Sequence, residues 1–152
     1  SSDVCSSDLF LKKGVNINQL IFENGCVRKD LLNKYNSIDI ALDTFPYNGG
    51  TTTLESSWMC VPTLVKKGNS FLSKCGESIN ISLGLNDWIA ENDDDYIKKA
   101  INFSLNIDKI QSTKNYLINN RNKFKIFDAK IFSRELVKKF KDIIITNRNH
   151  NA

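Results

Sequence analysis

Short apolar segments alternate with amphipathic helical segments along this chain, and this alternation constrains the fold more than any other feature. Three apolar runs lie at residues 38–42, 62–65 and 88–90, and the segments between and after them have helical spacing. Strands that alternate with helices pair in parallel and are joined by right-handed crossovers. The sequence therefore predicts an α/β fold, a Rossmann-like parallel sheet flanked by helices, with a helical C-terminal extension.

Further elements are predicted around these runs. A helix that ends near Lys13 and is stopped by Gly14 precedes a fourth apolar run at 20–22, and an amphipathic segment covers 28–36. The hydrophobic spacing and the start and stop residues predict the remaining helices at 52–59, 70–83, 93–103, 108–122 and 128–145. The predicted order is helix, strand, helix, strand, followed by a strand–glycine loop–helix–strand unit.

The chain is expected to contain three segments of different character. Residues 1–9, SSDVCSSDL, have no amphipathic period and are expected to be disordered or a non-native extension. Residues 10–146 are expected to form one unit that is incomplete on its N-terminal side. Residues 147–152 are expected to be a flexible tail.

The composition argues against several classes of protein. The chain has 152 residues, 41% of them hydrophobic and 25% charged, which is enough for a real core. No run approaches the roughly 20 apolar residues of a membrane span, and the N-terminus does not resemble a signal peptide, so a cytoplasmic location is expected. The four cysteines are scattered and there is one histidine, which indicates neither a zinc site nor a disulfide framework.

The net charge of +4 arises from Lys and Arg residues concentrated after residue 107. A basic face can bind nucleic acid, but these cations are spread over helical positions without interleaved exposed aromatic residues. The pattern favours solvated helix surfaces over a nucleic-acid site.

The most informative segment is DTFPYNGGTTTLE, residues 43–55, which follows the strand predicted at 38–42. It places Gly49, Gly50 and three threonines at the start of a helix. Backbone N–H groups at a helix start lack intrahelical partners and carry the positive end of the helix dipole, and glycine lets a ligand approach the main chain. Sheets of this kind bind ligands at the C-terminal ends of their strands, so the segment is a candidate phosphate site.

A purely structural interpretation fits the same residues. Thr52 and Glu55 have the spacing of a capping box, and Asn48-Gly49 is an ordinary turn. The segment is neither a Walker loop nor a dinucleotide fingerprint. From the residues alone, both interpretations stay open.

The segment YNSIDIALDTFPYNGGTTTLESSWMCVPTLV, residues 35–65, resembles the C-terminal signature of the O-linked GlcNAc transferase and SPINDLY family. The resemblance continues through 68–78, 84–90 and 96–100, and again at 127–128 with Phe132. It implies the C-terminal half of a GT-B glycosyltransferase that moves GlcNAc from UDP-GlcNAc to Ser or Thr of proteins, without a metal or other cofactor. The implied partners are a nucleotide sugar, a protein acceptor, and an N-terminal half or tetratricopeptide region outside this chain. Neither nucleic acid nor membrane is implied.

The resemblance also implies a set of ligand-binding residues. In the family, threonines at this place contact the diphosphate and an acidic residue holds the ribose. Gly50 and Leu31 stand where many members have histidine, and Glu55 stands where Asp is common. Catalytic residues are expected in the N-terminal half, so this chain alone is expected to be inactive. The substrate-binding residues predicted here are Asn48, Gly49, Gly50, Thr51, Thr52, Thr53 and Glu55.

Two alternatives to this function remain. The same fold could use another nucleotide sugar, such as UDP-glucose or GDP-fucose. The chain could also be a non-catalytic binding or scaffold module that uses its basic C-terminal helices for a protein or nucleic-acid partner.

Overall fold

The computed structural model describes the backbone of residues 6–150 and the side chains of residues 8–146. The chain divides into two compact units, Ser1–Leu31 and Leu32–Ala152, which are described separately. None of the helices within residues 6–150 is both long and apolar enough to cross a bilayer.

The first unit contains helix α1 (Ser6–Lys12), a 3-10 turn at Ile17–Gln19 and the start of α2 (Arg28–Lys34). Gly14 has a φ of +82° and donates its N–H to the Leu11 carbonyl at 2.9 Å, so it stops α1 as predicted. Of the extension predicted at 1–9, residues 1–5 lie outside the described part of the chain and residues 6–9 lie within α1.

The strand predicted at 20–22 is wrong. These residues have no strand conformation, and the Ile21 side chain is 85% exposed. A strand forms only when a neighbour completes its hydrogen bonds, and none of the described residues pairs with this run. Its apolar composition alone was therefore not sufficient for a strand.

The second unit is built on three short parallel strands, β1 (Ala41–Leu42), β2 (Thr63–Lys66) and β3 (Ile89–Ala90), in the order β1-β2-β3. Ala41 pairs with Thr63, and Val65 pairs with Ile89. The predicted parallel α/β architecture is confirmed.

Strand β1 is shorter than the predicted 38–42 because of Pro62. The Ala41 N–H donates to the Pro62 carbonyl at 3.0 Å, but the next rung toward the N-terminus would need a Pro62 N–H, which proline lacks. Residues before Ala41 form other bonds instead: the Ile38 carbonyl accepts from the Lys114 ammonium at 2.8 Å.

Five helices follow or connect the strands: α3 (Thr51–Trp58), α4 (Cys75–Ser82), α5 (Asp93–Ser104), α6 (Ile107–Asn120) and α7 (Ala129–His150). Asparagine side chains cap two of them, because Asn92 accepts the Asp95 N–H and Asn106 accepts the Lys109 N–H. Helix α7 reaches His150, so the tail predicted from 147 is helical up to that residue, and residues 151–152 lie outside the described part.

The core of the second unit lies around β2. The Asn80 amide is fully buried and donates to the Thr63 carbonyl at 2.9 Å and to the Trp88 carbonyl at 3.1 Å, which ties α4 to β2 and to the residue before β3. The Trp88 ring lies 4.4 Å from that of Phe103 in α5. The largest fully buried apolar side chains are Trp88, Leu64, Leu83 and Leu117.

An apolar stripe on α7 is not covered by the described chain. Phe132, Leu136, Phe140 and Ile143 recur at intervals of four or three residues and are 40–61% exposed. This spacing places them on one face of the helix. The stripe is therefore exposed to solvent in this structure.

Helix α3 ends in a turn that places a non-glycine residue in the left-handed region. Cys60 has a φ of +62° and its side chain is buried. Its N–H donates to Ser57 and the N–H of Val61 donates to Ser56, the bonding of a helix C-terminus normally closed by glycine.

We expect Cys60→Gly to be more stable than Cys60→Ala, by about 0.5–1 kcal/mol. Both variants lose the buried thiol, but alanine keeps the left-handed cost of about 1–2 kcal/mol, which exceeds the entropy cost of glycine, about 0.5–1 kcal/mol. Urea unfolding of the two variants at 25 °C measures the difference. Equal stabilities, or a more stable alanine variant, would contradict the left-handed strain at position 60.

Candidate functional site

The loop between β1 and α3, residues 43–50, is closed by hydrogen bonds to the Asp43 carboxylate. Asp43 Oδ1 accepts the Gly49 N–H at 2.7 Å and the Thr44 N–H at 3.0 Å. The Thr44 hydroxyl donates to the Tyr47 carbonyl at 2.6 Å, and the Asn48 amide donates to the Thr44 carbonyl at 2.8 Å. The loop is thus a compact turn that leads directly into α3.

The Asp43 carboxyl is partly desolvated. Burial raises its pKa, and the N–H donors of Gly49 and Thr44 lower it by less. Its second oxygen, Oδ2, is buried and has no hydrogen-bond partner among the described residues. The sequence motif indicated a loop at this place, and in the structure one carboxylate accepts two of the loop N–H groups.

The two glycines of the loop have different surroundings. A Cβ at Gly49 would lie 2.7 Å from the Thr53 hydroxyl oxygen and 3.2 Å from Asp43 Oδ1, and it would also overlap the Thr52 hydroxyl. A Cβ at Gly50 would meet nothing within 4 Å. Gly49 is required by close packing, whereas Gly50 leaves open space at the start of α3.

Helix α3 begins at Thr51, and Gly50 is its N-cap, without a side-chain cap. The capping box considered for Thr52 and Glu55 is therefore not formed, since Thr52 already lies inside the helix. Thr51 and Thr52 are exposed. The first turn of α3 thus has no side-chain cap and presents two threonines to solvent.

Two of the predicted binding residues face inward. The Thr53 side chain is buried and its hydroxyl donates to the Gly49 carbonyl at 2.8 Å. Asn48 is 3% exposed, and its Oδ1 has no partner among the described residues. Both residues support the loop in this structure, and whether they contact a ligand stays a prediction.

Glu55 lies one turn further along α3 and is partly exposed. Burial raises the pKa of Tyr35, and the negative charge of Glu55 raises it further. The Tyr35 hydroxyl donates to the Thr52 carbonyl at 3.4 Å. A cavity of about 170 Å³ between β1 and α3 is lined by Tyr35, Ala41, Leu42, Asp43, Thr52, Thr53, Ser56 and Thr63.

Residues far along the chain fix the loop from outside. The Tyr96 hydroxyl of α5 donates to the Asp43 carbonyl at 2.8 Å. The Lys66 ammonium lies 3.3 Å from the centroid of the Phe45 ring and pairs with Asp93. No local pattern predicts these contacts, because the partners are 21–53 residues apart.

The described part of the chain contains no group of three or more His, Cys, Asp or Glu side chains placed to hold a metal ion. The expectation that no metal takes part stays a prediction.

We expect Gly49→Ala to destabilise the chain by about 1–3 kcal/mol, because the added methyl group forces the Thr52 and Thr53 hydroxyls out of position. Gly50→Ala is the matched control. It has room and an ordinary φ of −98°, and the lower preference for alanine at an N-cap opposes the entropy gain of replacing glycine, so its effect should stay within about 1 kcal/mol of zero. Thermal and urea unfolding measure both. Similar effects of the two substitutions would contradict the packing described for Gly49.

We expect the stabilising effect of the Tyr96 hydroxyl to depend on pH above 10. Burial raises the pKa of Tyr96 to about 12, with the Asp43 charge adding to the effect. The unfolded chain therefore loses the phenolic proton first, and stability present below pH 10 is lost as the pH rises toward 12. The difference between the wild-type chain and Tyr96→Phe should be about 1 kcal/mol at pH 8 and smaller at pH 11. A difference that stays constant in urea titrations across this range would contradict the raised pKa.

Comparison with known proteins identifies relatives of this chain. A sequence model described as glycosyl transferase family 41 matches residues 4–136. A tomato (Solanum lycopersicum) protein named probable UDP-N-acetylglucosamine–peptide N-acetylglucosaminyltransferase SPINDLY is 33% identical over 107 residues, which are 70% of this chain and 12% of that protein. A Caenorhabditis elegans UDP-N-acetylglucosamine–peptide N-acetylglucosaminyltransferase is 21% identical over 126 residues, 83% of this chain and 11% of that protein.

A solved structure has the same fold. A mutant of the Thermobaculum terrenum O-GlcNAc transferase matches with a TM-score of 0.85 and 28% identity. The match covers 90% of this chain and 26% of that chain. This chain therefore corresponds to a small part of the proteins that it resembles.

Proposed function

Because the chain belongs to glycosyl transferase family 41, we propose that the start of α3 binds the diphosphate of a nucleotide-sugar donor. The enzyme would transfer GlcNAc from UDP-GlcNAc to Ser or Thr of a protein acceptor. The observation that carries the proposal is the first turn of α3, which has no side-chain cap and presents Thr51 and Thr52 to solvent at the C-terminal edge of the sheet.

The chemistry of this helix start suits a diphosphate. Its N–H groups and dipole favour an anion, and threonine hydroxyls can donate to phosphate oxygens. During transfer, negative charge develops on the leaving diphosphate as the bond to the sugar breaks. Donors already fixed in place at that position stabilise this charge without reorganisation, so the proposal needs no metal ion.

The residues of the segment take different roles in this proposal. Thr51 and Thr52 donate their hydroxyls to the diphosphate, and Gly50 lets the diphosphate approach the main chain. Glu55 accepts from the ribose hydroxyls, as the family resemblance implies. Buried Asn48 and Thr53 support the loop, because their amide and hydroxyl donors already bond its carbonyls.

Other parts of the site are proposed to lie outside this chain, which spans 12% of the tomato relative. The catalytic residues, the acceptor site and the remaining donor contacts would come from an N-terminal half. The chain alone would then be inactive in transfer. A cytoplasmic location fits the free thiols of Cys26, Cys60 and Cys75.

We expect Thr52→Val to weaken UDP binding by about tenfold or more, the loss expected when a hydrogen bond to a charged group is removed. The matched control is Thr146→Val, the same substitution at an exposed threonine of α7. Calorimetric titration of the folded chain with UDP measures both variants. Equal affinity of Thr52→Val and the wild-type chain would contradict the assignment.

The same titrations separate the alternatives. Preference for GDP over UDP would favour a donor such as GDP-fucose. Salt-dependent binding of DNA or RNA by a folded chain that binds neither nucleotide would favour the scaffold function.

A further inference from the structure

We infer that Asp43 is a positioning residue that holds the 43–50 loop in the shape required for donor binding at α3. The expected effect on donor binding rests on the proposed function. The contacts by which Asp43 holds the loop are observed in the structure.

Asp43 fixes Gly49, which lies six residues further along the chain. Its Oδ1 accepts the Gly49 N–H at 2.7 Å, the shorter of its two hydrogen bonds. A carboxylate forms a stronger hydrogen bond than a neutral acceptor would. The Gly49 carbonyl in turn accepts the Thr53 hydroxyl at 2.8 Å. Gly49 is therefore held through both its N–H and its carbonyl, and the peptide that enters α3 has little freedom.

Packing against α4 holds the Asp43 carboxylate from its other side. Gly76, in the first turn of α4, is buried against Asp43 Oδ2, and a Cβ at Gly76 would overlap that oxygen and lie 2.9 Å from the Val65 side chain. The Asp43 main chain is held as well, because its carbonyl accepts the Tyr96 hydroxyl. Gly76 of α4 and Tyr96 of α5 thus hold Asp43 in place, and Asp43 holds the loop.

Asp43 acts through Gly49 and does not itself contact the ligand. Oδ2 is buried beside Gly76, so it is not exposed to a donor molecule in this structure. Oδ1 is already bonded to two loop N–H groups. The residue therefore shapes the site without belonging to the set of groups that contact the diphosphate.

The test compares two substitutions at position 43 with a control. Asp43→Asn keeps an oxygen acceptor for Gly49, and Asp43→Leu has a similar volume without one. Asp39→Asn is the control, since Asp39 is an exposed carboxylate just before β1 that pairs with Lys114. Thermal unfolding shows which variants fold.

Amide hydrogen exchange of the free chain gives a readout that needs no ligand. In Asp43→Leu, exchange at Gly49 and at Leu54, whose N–H bonds to Gly50, should accelerate by about tenfold or more. Exchange at Lys67, whose N–H bonds to Ala90, should stay unchanged. Asp43→Asn should restore most of the protection but move the Gly49 amide proton upfield, because the hydrogen bond to a neutral acceptor is weaker.

UDP titration then tests the consequence for binding. Affinity should fall by about tenfold or more in Asp43→Leu, recover to within about threefold in Asp43→Asn, and stay at the wild-type value in Asp39→Asn. Unchanged Gly49 exchange in Asp43→Leu would overturn the inference. If Asp43→Leu does not fold, an unchanged chemical shift of the Gly49 amide proton in Asp43→Asn would overturn the inference. A wild-type chain that binds no UDP would contradict the proposed function, while the exchange data would still decide the role of Asp43.

Discussion

The hydrogen bond from the Asp43 N–H to the Leu64 carbonyl, 2.9 Å long, is the last rung between β1 and β2, and the candidate site depends on where this ladder ends. Because the hydrogen-bond ladder ends at Asp43, its carboxylate lies at the C-terminal edge of the sheet, beside the starts of α3 and α4. At this position it can turn the chain back onto Gly49. The end of the sheet thus fixes the position of Asp43 and the conformation of the loop. The loop in turn determines the direction in which α3 begins.

Much of this arrangement could be predicted from the sequence, and the failures have identifiable physical causes. The parallel pairing follows from short apolar runs between helices, and the resemblance of 35–65 to a known family is confirmed by the matches. The strand at 20–22 was wrong because an apolar run specifies a strand only if a partner exists. The predicted β1 is too long. The sequence contains Pro62, but the missing N–H of Pro62 limits β1 only in one strand register, which the sequence alone does not give.

The contacts around the loop are of a kind that one sequence cannot reveal. Tyr96 and Lys66 reach the loop from other elements, and their effect depends on a sheet that brings distant residues together. The interpretation of Thr52 as a cap was reasonable locally, but it assumed a helix that begins one or two residues later. With Gly50 as the N-cap, the same threonine becomes part of an open helix end.

Gly50 differs from Gly49 because its surroundings leave space for a Cβ atom. Its φ of −98° is accessible to every L-amino acid, and no atom lies within 4 Å of the position that a Cβ would take. A side chain at position 50 would add functional groups at the start of α3 without requiring the surrounding residues to move. A substitution at position 50 would therefore change the groups presented at the start of α3 while the packing around Asp43 and Gly49 stays as it is.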